Sequence, residues 1–180
     1  MKRVAILRGI NVGGHRKILM ADLRTLFNSL GFMDVSTYIQ SGNVIFSTTE
    51  DLGNSEIERK ISDAIMNAYE FDVPVIVRTA REIADLALLN PFFDSSTDVS
   101  KLHLTFLGKD PEPENVSEII KIDFSPDKIE VKGNSAFIYC DDKYHTSKLT
   151  NDFIEKKLKV KATTRSWKTI QKLAELGSAN

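Results

Sequence analysis

The sequence predicts an α+β protein made of two tandem ferredoxin-like lobes, each with the order βαββαβ and each followed by an extra helix. Three observations predict this class. Short strand patterns alternate with amphipathic helix patterns, the order of these patterns recurs in the second half of the chain, and several residues recur at similar offsets. We place the first lobe and its helix in residues 1–90, and the second lobe and its helix in residues 91–180.

The first lobe begins with a strand of branched side chains, RVAILR, which runs into a glycine-rich segment. An apolar stripe that starts at Met20 predicts a helix ending at Gly31. The segment DVSTYIQSGNVIFS, in which Ile39 continues the strand alternation, predicts a β-hairpin. Ser55 and Glu58 have the spacing of a capping box for a second helix, and VPVIVR predicts the fourth strand.

The extra helix of the first half is predicted from Thr79 and Glu82, which also have capping-box spacing. In the second half, KLHLTFLG predicts a strand with His103 on its outer face, and Pro113 opens a short helix. A second hairpin is predicted over KIEVKGNSAFIYC. A helix over LTNDFIEKKL, a short strand over VKATT and a last helix capped by Ser166 complete the chain.

Matching residues in the two halves suggest an internal duplication. Arg78 matches Arg165 at a separation of 87 residues, and the glycines of the two hairpins, Gly42 and Gly133, match at 91. The glycine after the first strand, Gly9, matches Gly108 at 99, but INVGGHRK follows Gly9 whereas KDPEPE follows Gly108. The glycine-rich loop is therefore predicted to be a feature of the first lobe and not a requirement of the fold.

The composition limits the classes of function. A chain of 180 residues with 42% hydrophobic and 27% charged residues is expected to fold. The net charge of −1 argues against a general nucleic-acid coat, although nine Lys and Arg oppose two acidic residues between Lys143 and Lys172. One cysteine, Cys140, rules out an intrachain disulfide and a multi-cysteine metal site. This single cysteine also leads us to expect no metal. No stretch approaches the roughly 20 apolar residues of a membrane span, so we expect a cytoplasmic protein with no membrane partner.

The segment LRGINVGGHRK poses the question of a phosphate-binding loop. Gly9 and Gly14 have Walker A spacing, but His15 and Arg16 stand where that loop needs lysine and a hydroxyl. The dinucleotide pattern also fails, because Asn11 stands at its second glycine. Unpaired N–H groups between the strand and the following helix, flanked by cations, would still attract an anion. The alternative is a long turn whose glycines supply positive φ and whose cations only face water.

The segments LRGINVGGHRKILMADLRTLFNSLGF and TYIQSGNVIFS closely resemble the opening of bacterial proteins grouped as domain of unknown function 1697. The resemblance continues through NPF at Asn90, SKLTNDFIEKKL from Ser147 and TTRSWKTIQKL, and so covers essentially the whole chain. In that family the last motif often reads Arg-Asn-Trp, whereas Ser166 stands here between Arg165 and Trp167. The resemblance implies an uncharacterised α+β protein and supplies no established reaction.

Three functions fit these patterns: binding of a small anionic ligand such as a nucleotide or phosphorylated metabolite, protein interaction or self-association including a homo-oligomer, and RNA binding by paired sheets. The RNA hypothesis ranks third, because the first strand lacks aromatic residues and the third has only Phe46. Neither a cofactor nor a catalytic residue can be assigned. Trp167 would either stack on a ligand or be buried between the lobes. The candidate ligand-binding residues are Arg8, Gly9, Asn11, Gly13, Gly14, His15, Arg16, Lys17, Gln40, Ser41, Gly42, Asn43, Lys148, Arg165 and Trp167.

Overall fold

The computed structural model describes residues 1–179 and shows a mixed α/β fold. Over these residues it contains two four-stranded antiparallel sheets and six α-helices. The chain divides into two compact units. Unit 1 comprises Met1–Asp85 together with the last residues from Leu173 onward, and unit 2 comprises Leu86–Lys172.

Unit 1 has the predicted order of strands and helices. Its elements are β1 (Lys2–Leu7), α1 (Met20–Ser29), β2 (Met33–Tyr38), β3 (Asn43–Ser47), α2 (Asn54–Tyr69), β4 (Val75–Thr79) and the start of α3 (Ala80–Leu88). The strands lie in the order β2-β3-β1-β4, and all neighbours are antiparallel. The core lies between the sheet and the helices, where Phe27, Phe32 and Phe46 pack with ring centroids 4.5–5.8 Å apart.

Unit 2 has the same order of elements and an equivalent sheet. Its elements are β5 (Leu102–Leu107), α4 (Pro113–Ile120), β6 (Lys128–Lys132), β7 (Ser135–Tyr139), α5 (Asn151–Leu158), β8 (Ala162–Ser166) and the start of α6 (Trp167–Ser178). The strands lie in the order β6-β7-β5-β8. Cys140 is buried in the core, and burial raises the pKa of its thiol to about 11. The thiol therefore stays protonated at neutral pH, and Cys140 acts as a small apolar residue of the core.

The start of α2 differs from the prediction. The helix begins at Asn54 after the N-cap Gly53, whose N–H donates to Glu56 Oε2 at 2.9 Å, which is one of the two hydrogen bonds of a capping box. The predicted box of Ser55 and Glu58 is wrong because the Glu58 carboxylate accepts a hydrogen bond from a backbone N–H of β4 at 2.8 Å. The Glu58 side chain is therefore directed to the sheet and does not cap the helix.

The predicted capping box of α3 is confirmed. Thr79 Oγ1 accepts from the backbone N–H of Glu82 at 3.1 Å, and Glu82 Oε2 accepts from the backbone N–H of Thr79 at 2.7 Å. His103, by contrast, was predicted on the outer face of its strand and is only 8% exposed. Its ring stacks on Tyr144 with centroids 4.7 Å apart, because a short 3-10 helix at Tyr144–Thr146 covers this part of the sheet.

Equivalent hydrogen bonds identify the matching positions of the two sheets. The N–H of Arg8 donates to Pro74 O at 3.0 Å, and the N–H of Gly108 donates to Lys161 O at 2.8 Å. Arg8 therefore matches Gly108, so the predicted match of Gly9 with Gly108 is one residue out of register. Arg78 pairs with a residue of β1, and Arg165 pairs with the equivalent residue of β5. This pairing supports the predicted match of Arg78 with Arg165.

The hairpin match is also one residue out of register. The N–H of Leu7 donates to Gly42 O at 2.8 Å, and the N–H of Leu107 donates to Asn134 O at 2.9 Å. Gly42 therefore matches Asn134 and not Gly133. With this register, the connection between β1 and α1 spans residues 8–19, whereas the matching connection of unit 2 spans only residues 108–112.

Candidate functional site

The glycine-rich segment of unit 1 folds into a small hairpin, here called the glycine hairpin (residues 9–17). Val12 and His15 form an antiparallel bridge, and the N–H of His15 donates to Val12 O at 3.0 Å. Gly13 and Gly14 between them have φ of +58° and +79°. Two successive positive φ values are what a two-residue type I′ turn requires, which explains the Gly-Gly pair.

Asn11 holds the glycine hairpin in place. Its Nδ2 donates to the backbone oxygens of Ile18 and Gln40, each at 2.9 Å, and its Oδ1 accepts from the N–H of Ile18 at 2.9 Å. The backbone N–H of Asn11 also donates to Arg16 O at 3.1 Å. The hairpin is therefore closed on itself and tied to the turn between β2 and β3. Asn11 has φ of +56°, a conformation that asparagine tolerates better than most residues.

The β2–β3 turn is built around Gly42. This residue has φ of +83°, and a Cβ placed on it would lie 2.8 Å from both Leu7 Cβ and Ile10 Cδ1. Only glycine fits at that position without displacing its neighbours. Asn43 is fully buried, and its Nδ2 donates to the backbone oxygen of Tyr38 and to Ser41 Oγ. The predicted candidates Ser41, Gly42 and Asn43 therefore determine the conformation of the turn to which Asn11 is hydrogen-bonded.

Four cationic or titratable side chains lie on this connection. Arg8 is half-buried, whereas His15, Arg16 and Lys17 are exposed. A Cβ placed on Gly9 would lie 3.4 Å from Arg16 Nη1, so the guanidinium lies beside Gly9. No Asp or Glu occurs in residues 8–19 or 38–43. Within the described part of the chain, no carboxylate pairs with Arg16 or Lys17.

Three aliphatic side chains are exposed at the same end of unit 1, and the sequence patterns did not predict them. Val12 is 64% exposed, Leu19 70% and Ile39 47%. Ile39 was expected to continue a strand, but β2 ends at Tyr38 and Ile39 has φ of +52°. Positive φ is unusual for a β-branched residue. A signal for Leu19 was present in the sequence, since it precedes a helix where Ser, Thr, Asp or Asn is the usual cap.

The backbone of the glycine hairpin offers less to an anion than the sequence suggested. The N–H groups of Asn11, His15 and Ile18 all donate to acceptors within unit 1. Moreover, α1 begins only at Met20, so the helix start does not follow Lys17 directly. An anion at this site would therefore be held mainly by side chains.

Two predicted site residues of unit 2, Trp167 and Arg165, occupy different environments from the glycine hairpin. Trp167 is fully buried, with ring centroids 6.4 Å from Phe93 and 6.3 Å from Phe137. Because the ring has no exposed face, the structure argues against the hypothesis that Trp167 stacks on a ligand. Arg165 Nη1 donates to Thr164 O at 3.0 Å, and burial lowers the pKa of the guanidinium to about 10.

Lys148, the third candidate of unit 2, is exposed at the edge of a cleft of about 240 Å³. Asp127 lies in this cleft, where its carboxylate accepts from Ser147 Oγ at 2.6 Å and from the N–H of Asp141 at 2.9 Å. The Asp127 carboxylate thus stabilises the local turns. Because several aspartates line the same cleft, it favours an anion less than the glycine hairpin does.

A second cleft of unit 2, of about 500 Å³, was not predicted from the sequence. The ammonium groups of Lys101 and Lys128 lie 5.7 Å and 5.5 Å from the ring centroid of Tyr139. Lys101 Nζ is also 3.0 Å from Asp141 Oδ1, and this hydrogen bond lowers the pKa of the Asp141 carboxyl. Asp94 and Asp98 line this cleft together with the two lysines, so its cations and carboxylates are equal in number.

Residues 1–179 contain neither a metal-binding cluster nor a membrane-spanning helix. No group of three or more His, Cys, Asp or Glu side chains in this range is arranged to hold a metal ion. Of the helices in the same range, none has the length and apolar character needed to cross a membrane.

Comparison with known proteins identifies a family but no activity. The model of a family described as "Protein of unknown function (DUF1697)" matches residues 1–137, which confirms the predicted family over that range. No curated protein matches the chain. The solved structure of the conserved bacterial protein SP0830 from Streptococcus pneumoniae is similar, with 21% identity, a TM-score of 0.75 and coverage of 98% of each chain. At this identity the likeness shows the fold alone.

Proposed function

This chain belongs to the DUF1697 family, whose description assigns no reaction, and we propose from the geometry of its own residues that the glycine hairpin binds an anionic ligand. The ligand class is a nucleotide, a phosphorylated metabolite or another group that bears phosphate. His15, Arg16 and Lys17 would contact the anion from the hairpin, and Arg8 would contribute charge from its base.

The observation that carries this proposal is the local charge. Arg16 and Lys17 are exposed on a loop that Asn11 holds in one conformation, and residues 8–19 contain no carboxylate that would compete with a ligand. A preorganised loop loses less conformational entropy on binding than a mobile one. A hydrogen bond from a charged donor contributes roughly 1.5–3 kcal/mol, so two or three such contacts support measurable binding at low salt.

The contrast with unit 2 supports the same proposal. We propose that both units are ferredoxin-like lobes related by duplication, because their sheets share one strand order and equivalent hydrogen bonds. On that basis the glycine hairpin is an addition to unit 1. The matching connection of unit 2 is seven residues shorter by its element bounds and contains Asp110 and Glu112, which would repel an anion.

RNA binding by the sheet of unit 1 has less support. An RNA-binding sheet displays aromatic rings on its first and third strands, where they stack on bases. β1 contains no aromatic residue, and Phe46, the aromatic residue of β3, is fully buried in the core of unit 1.

Thermal unfolding with candidate ligands tests the proposal. Wild type and an Arg16→Ala/Lys17→Ala double variant would be melted at low salt with nucleotides, sugar phosphates or inorganic phosphate. A ligand at ten times its Kd stabilises the folded state by about 1.4 kcal/mol, which for a chain of this size raises Tm by several degrees, roughly 2–4 °C per kcal/mol. The double variant is expected to lose most of that rise.

The matched control is Lys109→Ala/Lys161→Ala, which removes two exposed cations at the equivalent end of unit 2. This control should respond to ligands as wild type does. If no anion raises the Tm of wild type, or if both double variants respond identically, the glycine hairpin is not an anion site.

A further inference from the structure

We infer that the glycine hairpin and the exposed aliphatic residues beside it form a docking surface for an anionic membrane. This inference rests on the proposed function and specifies its ligand as the headgroups of a lipid surface. The aliphatic residues Val12, Leu19 and Ile39 are here called the apolar tip. The tip would enter the interface while Arg16 and Lys17 contact the headgroups.

The hydrogen bonds of Asn11 bring the apolar tip together. One amide group bonds to the backbone of both Ile18 and Gln40. Each tip residue is the chain neighbour of one of these three residues: Val12 follows Asn11, Leu19 follows Ile18, and Ile39 precedes Gln40. Three exposed aliphatic residues thus adjoin one hydrogen-bonded centre, although they come from two separate segments of the chain. Scattered single apolar residues are normal on a surface, whereas a cluster that cations flank indicates a contact site.

The tip residues also occupy positions where other residues would favour folding more. Leu19 is the N-cap of α1 and makes no side-chain cap hydrogen bond, and its side chain is largely exposed. It therefore contributes neither a cap nor much core packing. Ile39 holds a positive φ that disfavours β-branched side chains. Unfavourable local choices that the fold itself does not require are typical of functional sites.

The shape and chemistry favour a membrane over other partners. All residues from 12 to 17 are exposed, and a Cβ placed on Gly14 would meet nothing within 4 Å, so the hairpin projects into solvent. A helical peptide needs a groove. A phosphorylated small molecule gains most from a concave site, so an array of lipid headgroups suits a projecting hairpin better than a single small anion does. Single-stranded nucleic acid needs aromatic rings for stacking, and residues 8–19 and 39–43 contain no Phe, Tyr or Trp.

A projecting loop with aliphatic and cationic side chains suits the interface of an anionic bilayer, where both kinds of contact act together. Contact of this kind requires no spanning helix. The expectation that this protein has no membrane partner followed only from the lack of a spanning segment, and the apolar tip leads to a different conclusion.

Vesicle sedimentation tests the inference with the full chain. Vesicles of phosphatidylcholine alone would be compared with vesicles that also contain phosphatidylglycerol. Wild type is expected to bind only the anionic vesicles, and added salt should weaken binding. Arg16→Ala/Lys17→Ala should weaken binding roughly 30-fold, at about fivefold for each cation near the surface. Val12→Ser/Leu19→Ser should weaken binding by roughly tenfold or more, with the charge unchanged, because two aliphatic side chains no longer enter the interface.

The control for the apolar tip is Leu88→Ser/Ile120→Ser, which removes two exposed aliphatic side chains of unit 2 and should bind vesicles as wild type does. Unfolding does not confound the tip variant, because Leu19→Ser provides a favoured N-cap and is expected to raise Tm. A melt of the same variant checks that expectation.

The outcomes separate the inference from the proposed function. If phosphate or nucleotides raise Tm through Arg16 and Lys17 but anionic vesicles do not bind, the membrane inference is wrong and anion binding stands. Vesicle binding that Val12→Ser/Leu19→Ser leaves unchanged would also overturn the inference. Binding to single-stranded RNA but not to vesicles would replace it with a nucleic-acid surface. If neither vesicles nor soluble anions bind, both proposals fail.

Discussion

Replacement of Asn11 by alanine is expected to release the glycine hairpin from the rest of unit 1. The change removes three side-chain hydrogen bonds, two donated to Ile18 O and Gln40 O and one accepted from the N–H of Ile18. It leaves the backbone bond to Arg16 O, but it places an alanine at φ of +56°. Both the lost bonds and the backbone conformation destabilise the variant.

The magnitude follows from these two effects. A net hydrogen bond contributes roughly 0.5–1.5 kcal/mol, and the half-buried position of Asn11 allows water to replace part of each bond. Three bonds then contribute about 1–2 kcal/mol. A non-glycine residue in the left-handed region costs roughly 1–2 kcal/mol, although asparagine itself bears part of that cost. We therefore expect Asn11→Ala to lower the free energy of unfolding by about 2–3 kcal/mol.

Asn11→Gly is the matched variant, because glycine accepts positive φ and lacks the same three bonds. It should be destabilised by less than Asn11→Ala, by about 1–2 kcal/mol. Urea unfolding gives both values. Hydrogen exchange provides a local measurement, because the amide of Ile18 loses its acceptor and should exchange faster in both variants. Protection of Ile18 equal to that of wild type, or losses below about 0.5 kcal/mol, would show that Asn11 does not hold the hairpin.

Three further predictions concern the folded state. Gly42→Ala should lower the free energy of unfolding, measured by urea titration, by about 2–5 kcal/mol, because the new Cβ makes close contacts at a residue with positive φ. Gly14→Ala also places alanine at positive φ but in open space, so the same titration should show a loss of only about 1 kcal/mol. Trp167→Ala should cost about 3–5 kcal/mol by thermal melt for a fully buried aromatic ring, and a stability within 1 kcal/mol of wild type would contradict its packing role. Burial lowers the pKa of His103 below its unfolded value near 6.5, so the stabilising effect of a neutral imidazole is complete above that pH and is lost as pH falls below it. The fall should be smaller in His103→Phe, which keeps a ring against Tyr144, and an equal fall in both proteins would refute the assignment.

The order of the secondary structure elements was predictable from the sequence because it depends on local periodicity. The helices of unit 1 and the two hairpins appear where apolar spacing and glycine turns placed them. Helix ends were less predictable, since more than one pair of residues near a helix start can have the spacing of a capping box. At α2 the Glu58 carboxylate bonds to β4, and Glu56 is the residue that bonds back to the helix start. The contact of Glu58 with β4 is tertiary, so no local pattern could predict it.

The register between the two halves required the strand pairing. Letters alone matched Gly9 to Gly108 and Gly42 to Gly133, each one residue away from the match that the hydrogen bonds define. Glycine recurs at turns for conformational reasons, so similar turns can place it at slightly different positions. Only the pairing partners of the backbone show which residues are equivalent.

Three properties of the glycine hairpin were evident from the sequence alone: its positive charge, the absence of Asp and Glu from its segment, and its lack of a counterpart in the second half. The tertiary structure was needed to show that Val12, Leu19 and Ile39 are exposed beside residues that share one set of hydrogen bonds. Ile39 is 27 residues from Val12 in the chain, and their two segments are joined because Asn11 bonds to Gln40. Exposure of an apolar side chain depends on what the rest of the chain covers, so periodicity, which registers only the spacing of residues along one segment, could not reveal it.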